Sequence, residues 1–568
     1  MHPGRLRIAL IGLALLTACA APGQRPADQA ASGPAQAPGP RGTLKIAWAT
    51  EPENLHSKMA AGSGLNEFFW VFNSYLTYFD FAGVSHPMLA REIPSQENGD
   101  WVVNPDGTMV TTYRLRETRW HDGAPLTAHD YVFGFEVYLD PELPIRDRVP
   151  ENLMAGVEAA DDYTLVVRWK QPYIGANTLS FQQLPPLPRH IAEQKYRTQK
   201  ANFAYGDDWT TEFVGSGPFR LERWVPGSLM VARAYSDWAL GAPKLDTIEI
   251  RFISDTRTEL ANILAGEVDF VSSPGVRAPE AVVAREQWAG RAEGYIRSWS
   301  RQPRYLAFQF REVPNWQRAV TDLRVRKALM HATDRDGLAE ILSQGFGKAA
   351  NAFIVPNDPL APEVERAVAK YPYDPGRASA LLAEAGWRRQ DATAPLSNSA
   401  GQSLDIDIWT TPDGGGEQEA TILADNWKAV GVRSSIYIIP AARQRDLEHR
   451  VSFPAVSTTA RSAPLDNFAF TSAHAPTAEA RWQGANRGSF QDPEVDRLFN
   501  LAMTTLGDRE RSRHIIELHT RMSEVLGIGM LLYHAEVLIA RNRVQGPVGE
   551  VAEKSGVSWN IFEWEVTD

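Results

Sequence analysis

Residues 245–253 alternate apolar and polar side chains as a half-buried strand does, residues 257–264 carry apolar side chains at helical spacing, and Ala265-Gly266-Glu267-Val268-Asp269 follows. Strand, helix and strand in that order constrain the chain to an α/β unit. The remaining punctuation agrees. Residues 43–49 alternate as a strand, and Glu51-Pro52-Glu53-Asn54 breaks them. Asp106-Gly107 separates Trp101-Val102-Val103 from the run 108–115, which predicts a hairpin. Thr127-Ala128-His129-Asp130 fits a capping box, with helix expected to continue through the apolar run 131–139. In the second half, Asp322 caps a helix whose apolar face holds Val325, Ala328, Leu329 and Ala332, and Asp334 starts the next, ended by Gly345. Asp374-Pro375 reads as an N-cap with Pro at N1, followed by Ala378, Leu381, Leu382 and Ala385, and Gly386 stops that helix.

With 568 residues the chain exceeds one folding unit several times over, so two or three lobes are expected. Hydrophobic residues at 43% and charged residues at 22% exclude a mainly disordered or fibrous chain. A formal charge of −11, without a long basic block, argues against nucleic acid as partner. The single cysteine rules out a disulfide framework and any Cys-based zinc site.

That cysteine has a telling position. Arg5 and Arg7 precede an apolar stretch from Ile8 to Leu16, and Leu16-Thr17-Ala18-Cys19 closes the segment with small residues. The stretch is shorter than the roughly 20 residues a spanning helix takes, but it suits a lipoprotein signal peptide over residues 1–18. Cleavage before Cys19 and acylation of its thiol predict an extracytoplasmic protein, periplasmic or at the cell surface, with a lipid anchor as its only membrane contact. Residues 19–42, rich in Ala, Pro, Gly and Gln, read as a flexible tether.

Chemistry-bearing motifs are scarce. His121, Asp122, His129 and Asp130 fall within ten residues, yet turn and cap geometry explains both aspartates, and the imidazoles lack the i, i+4 spacing of a metal helix. Val214-Gly215-Ser216-Gly217-Pro218-Phe219 does not complete a phosphate-binding loop; its glycines are expected to let a strand enter a tight turn. Neither a Gly-x-Ser-x-Gly elbow nor a His-Glu-x-x-His helix is present. No catalytic residue, metal or cofactor is therefore assigned. Seventeen tryptophans and sixteen tyrosines are plentiful for a large ligand cleft, though most should serve packing.

Several stretches together carry a resemblance: Asn104-Pro105-Asp106-Gly107-Thr108, residues 115–130, Val214-Gly215-Ser216-Gly217-Pro218-Phe219 and Leu264-Ala265-Gly266-Glu267-Val268-Asp269 in the first half. Residues 322–329, 373–387 and Asp492-Pro493-Glu494-Val495-Asp496 continue it in the second. In this order the chain resembles the extracytoplasmic solute-binding proteins of family 5, the peptide and nickel class serving ATP-binding-cassette importers.

The resemblance implies an α/β, two-lobed periplasmic-binding-protein fold with an interlobe cleft and hinge, plus a subdomain inserted in the first lobe. Residues 43–75, 211–299 and 534–568 are assigned to lobe I, 76–210 to its insertion and 300–533 to lobe II. It also implies a monomer that captures a peptide-like or other small polar solute for a membrane permease, without enzymatic activity. A secreted hydrolase and a ligand sensor feeding a signalling receptor are the alternatives.

Peptide binders of this family hold a free ammonium with an aspartate just before a proline, a stretch corresponding here to Thr458-Thr459-Ala460-Arg461-Ser462-Ala463-Pro464. Arg461 stands there and Asp466 lies just beyond, which favours a ligand carrying carboxylate, or a longer or modified peptide, over a zwitterionic dipeptide. Trp409, Glu53, Asn54 and His56 are further candidates for the cleft.

Overall fold

The computed structural model describes residues 42–59, 66–145, 148–391, 394–412, 415–463, 465, 468–549 and 555–567. Its framework is an 11-stranded mixed sheet running through both lobes. In the first lobe the strand Thr43–Trp48 lies between Thr247–Phe252 and Phe270–Ser272, parallel to both. The helix Thr256–Ala265 connects the latter two, as the strand–helix–strand pattern predicts. The Asp255 carboxylate accepts from the Thr258 amide at 2.8 Å to start this helix, and Gly266 ends it at φ +77°. Leu44 and Ile46 are fully buried on one face of the sheet, and Ala47, Val271 and Ile539 on the other, so apolar layers cover both sides.

The 101–103 and 109–114 runs pair as the predicted hairpin, Trp101 opposite Thr111, within a four-stranded antiparallel sheet completed by Thr164–Trp169 and Met154–Asp161. Its core is continuous with that of the first lobe: Met109, Tyr113 and Trp169 belong to the same buried cluster as Trp48, Phe68 and Phe270. At the start of the helix Ala128–Leu139 the Asp130 carboxylate accepts from the Thr127 amide at 2.8 Å. The Thr127 hydroxyl also donates to that carboxylate, at 3.3 Å, so the two residues of the expected box face each other.

The second lobe repeats the parallel logic. Ile408–Thr410 lies between Ile436–Ile438 and Val456–Ala460, parallel to both, with the helix Gly416–Ala429 as a connection. Asp322, Asp334 and Asp374 cap the helices Leu323–His331, Arg335–Ser343 and Pro375–Glu384 through amides three residues or fewer ahead. Arg326, within the 322–329 motif, is buried and donates to the carbonyls of Val320, Thr321, Val525 and Leu526 at 2.8–3.0 Å. That guanidinium locks the helix to the turn entering the last long strand.

The C-terminal segment packs on the first lobe. Val544–Gln545 pairs with Glu565–Val566, Trp564 meets Phe270 at 4.9 Å, and Ser558 donates to the Glu67 carbonyl at 2.7 Å.

The glycines of the 214–219 motif serve closeness rather than an unusual backbone angle, since neither Gly215 nor Gly217 has a positive φ. The amides of Ser216 and Gly217 both donate to the Phe72 carbonyl, at 3.1 and 2.9 Å. A Cβ on Gly217 would sit 2.4 Å from the Phe72 carbonyl carbon and 2.5 Å from the Asn73 amide nitrogen. Gly217→Ala is therefore expected to destabilise the protein by about 1–3 kcal/mol, because backbone has to move. Thermal unfolding monitored by near-UV circular dichroism checks it, and an unshifted midpoint would refute the close-approach reading.

Candidate ligand-binding cleft

Two strands are long enough to belong to both lobes. Gly294–Phe308 and Ile528–Arg541 pair antiparallel along their length, with register shifts between Ser300 and Gln302 and between Arg304 and Tyr305. On one side of these bulges Ile528–Arg541 pairs with Phe270–Ser272 of the first lobe; on the other, Gly294–Phe308 pairs with Val456–Ala460 of the second. A bulge bends its strand and interrupts pairing. The bulges thus lie along the ladder between these two sets of pairings.

Beside the bulges lies a cavity of about 530 Å³. The first lobe contributes Ser273, Pro274 and Arg277; the crossing strands contribute Arg301, Gln302, Arg304, His534 and Glu536. Thr411, Ile439, Gln444, Arg445, Arg450, residues 457–460 and Arg487 complete it from the second lobe.

Local chemistry positions these groups. Ser273 Oγ donates to the Val276 carbonyl at 2.9 Å and accepts from the Val537 amide at 3.1 Å, which pins the loop leading to Arg277 onto a crossing strand. Asp446 accepts from the His449 amide at 3.0 Å, starting the short helix Leu447–Arg450 that ends on Arg450. Arg487 donates from Nη1 to Thr459 Oγ1 at 3.0 Å.

Among the described residues six arginines line the cleft, and two are neutralised. Arg301 reaches both oxygens of Glu536, at 3.0 and 3.1 Å. Arg304 is buried and forms a two-point pair with the fully buried Glu419, with Nε to Oε1 at 2.9 Å. Burial opposes the Arg304 charge, but Glu419 more than offsets it and holds the guanidinium above its ordinary pKa. Arg450 is pulled down to about 10, by burial first and by the nearby Arg487 charge second. It stays cationic at neutral pH, although its Nε is buried without a hydrogen-bond partner. Burial lowers the His534 pKa; Glu536 opposes that shift, and Arg304, Arg277 and Arg301 add to it. Behind the 273–277 loop, where a Cβ on Gly275 would fall 1.9 Å from its Oε2, Glu259 is buried and pushed up to about 8 by burial. At pH 7 it is mostly neutral and adds little negative charge behind the arginines.

The residues singled out from sequence lie in several places. Arg461, one residue beyond the lining residue Ala460, is half-buried, and its charge bears on Tyr305 and His474. Trp409 packs beside the cleft wall, its ring tilted against Tyr437 at 4.5 Å and His449 at 4.8 Å, while Thr411 is the lining residue of that segment. Glu53 and Asn54 border a separate cavity of about 450 Å³ with Tyr205 and Trp209. Asp466 and Cys19 lie outside the described residues.

His56 is buried beside that second cavity. Its Nδ1 accepts from the Lys58 amide at 3.2 Å, so Nε2 carries the hydrogen and donates to the Tyr138 hydroxyl at 3.2 Å, which in turn donates to the Pro185 carbonyl at 2.8 Å. Sequence reasoning missed Arg277, Arg301, Arg304, Arg445, Arg450 and Arg487. Only Arg304 left a local signal, a charge entering the apolar run Tyr305-Leu306-Ala307-Phe308.

Two measurements check these assignments. Glu419→Ala leaves Arg304 buried and uncompensated, with an expected loss of about 3–5 kcal/mol in stability; the double variant Glu419→Ala/Arg304→Ala should recover part of it. An additive double variant would mean that the pair is not coupled. For His56, burial and the Lys58 charge lower the pKa from 6.5 to about 3. Above pH 6.5 folded and unfolded chains both carry neutral imidazole. Between pH 6.5 and 3 the unfolded chain takes up a proton that the folded one refuses, so stability falls with pH at up to about 1.4 kcal/mol per unit. Urea midpoints at pH 7 and pH 5 should differ less in His56→Asn than in the parent protein.

The comparisons with known proteins agree with this geometry. The family described as "Bacterial extracellular solute-binding proteins, family 5 Middle" matches residues 87–480. Curated relatives from Brucella ovis and Brucella abortus, named as ABC transporter peptide-binding proteins, are 30% identical over 296 residues, 52% of this chain and 52% of theirs. The chain thus aligns with about half the length of these relatives. The oligopeptide-binding protein AppA of Bacillus subtilis is 23% identical over 445 residues, 76% of this chain and 75% of that one. Its structure with a nonapeptide superposes with a TM-score of 0.69 at 20% identity, over 93% of this chain and 99% of AppA. NikZ of Campylobacter jejuni, in complex with Ni(L-His), gives 0.71 at 22% identity, over 93% and 100%. The fold is the two-lobed α/β architecture of these binding proteins, and the chain belongs to the bacterial extracellular solute-binding proteins, family 5.

Proposed function

We propose that this protein is the substrate-binding component of an ATP-binding-cassette importer, capturing a peptide-like or other small polar solute between its lobes and presenting it to a membrane permease. The observation that carries this reading is the cavity at the bulged crossing of two shared strands, walled by both lobes. Ligand that touches both walls favours the closed arrangement, since it binds closed better than open. The family's ordinary work is solute binding, and a protein without turnover is our reading here as well.

Domain limits at 299/300 and 533/534 are supported by the bulges, where Ser300 faces Ala535 and Gln302 faces His534. An insertion over 76–210 is supported by its self-contained four-stranded sheet. The cavity beside Glu53 and Asn54 and the segment near Arg461 and Asp466 remain in the proposal as secondary ligand contacts, with Trp409 and His56 beside them. Anchoring through acylated Cys19 rests on the sequence pattern; among the described residues no helix is long and apolar enough to cross a membrane. A monomer suffices, because both walls come from one chain.

Small-angle scattering should show a smaller radius of gyration when the cleft is saturated, and the melting temperature should rise, because the solute binds only the folded state. An unchanged radius with verified binding would remove hinge closure. Cys19→Ser should release soluble protein from membranes with affinity unaltered, whereas an unfolded mature domain would refute the anchor. Hydrolysis of a peptide or ester library by the purified protein would make it a hydrolase.

A further inference from the structure

Among the described residues, the cleft holds more positive charge than its own carboxylates balance. Among the described residues of its lining Glu536 is the one carboxylate, and it is taken by Arg301; Glu419 is taken by Arg304. Among the described residues no carboxylate lies within ion-pair distance of Arg277, Arg445, Arg450 or Arg487. Arg487 is met by a neutral hydroxyl, and Arg450 has a buried Nε with no acceptor. Neighbouring guanidiniums repel each other, and the partial burial of Arg450 and Arg487 removes water that would screen them, while Arg277 and Arg445 stand exposed at the rim. Folding gains nothing from gathering such groups. A cleft of one sign inside low-dielectric walls concentrates ions of the opposite sign.

Resting on the importer reading above, we propose that the solute taken by this cleft is a small polyanion bearing at least two carboxylate or phosphate groups, gripped by Arg450 and Arg487 with Arg277 and Arg445 as outer contacts. The planar fork of each guanidinium matches the paired oxygens of either group. A volume of about 530 Å³ falls in the ordinary range for small-molecule pockets, about 300–1,000 Å³. The chain as a whole is negative, at −11, so long-range attraction does not bring an anion in. Affinity must come from contacts inside the cleft, where added salt screens them less than at the surface. A peptide ammonium finds no unpaired carboxylate among the described lining residues and meets repulsion instead.

The test is calorimetric titration of the protein, dialysed at high salt to remove carried-over solute, with citrate, glucose 6-phosphate and Glu-Glu-Glu against Ala-Ala-Ala and Lys-Lys-Lys. At least one of the three anions should bind, and the neutral and cationic peptides should bind at least tenfold more weakly. Citrate against glucose 6-phosphate separates carboxylate from phosphate. Arg450→Ala and Arg487→Ala should each weaken the bound anion more than tenfold, with Arg450→Lys recovering part. Without ligand, the thermal midpoint of Arg450→Ala should stay level or rise, since a like-charge neighbour is gone; a structural role would lower it. Absence of binding by all three anions overturns the proposal, as does equal binding by Ala-Ala-Ala or Lys-Lys-Lys. Peptide binding accompanied by compaction in scattering would leave the importer reading standing while removing the polyanion. Tight binding without any compaction strikes the importer reading instead.

Discussion

The antiparallel pairing of Gly294–Phe308 with Ile528–Arg541 is the constraint on which the rest of the molecule depends. Through it one sheet serves two lobes: Val271 and Ile539 meet at one end, and Leu306 lies opposite Gly529 and Thr458 at the other. Gly529 suits that crowded point, since a Cβ there would fall 2.6 Å from Met330 Sδ and 3.2 Å from the Phe308 ring. The ladder is interrupted near Ser300 and Arg304, beside the cavity.

Charge placement follows a consistent division. Away from the cleft, buried ionic groups are matched: Lys58 with Glu151 at 2.6 Å, or Arg326 with four carbonyls. Buried histidines such as His56 and His519 avoid the cost of charge, burial being the main cause that lowers their pKa. Arg450 and Arg487, both partly buried, depart from that division, and they do so around a cavity. Such a local departure from good packing electrostatics is where ligand recognition is expected.

Much of the fold was legible because it rests on short-range chemistry. Asp322, Asp334 and Asp374 each cap the helix their sequence context announces, since capping needs only a side chain and an amide two or three residues on. Gly266 and Gly386 take the positive φ that ends a helix, and the Asp106-Gly107 turn joins its two strands with Gly107 at φ +85°. The 214–219 glycines were readable as special but not for the right reason: what constrains them is the Phe72 backbone, more than 140 residues away in sequence.

The candidate site was far less legible. Arg277, Arg304, Arg450 and Arg487 sit in unrelated local contexts, respectively a helix start, a strand, the end of a short helix and a loop. No spacing rule links them. The sequence by itself determined the alternation of strands and helices, the caps and turns, and the order of motifs that marks the family, because those depend on neighbours along the chain. Only the tertiary structure decided which arginines keep a carboxylate partner and which face the cleft without one, because ion pairing is settled by distances that exist once two strands have carried the chain from one lobe to the other and back.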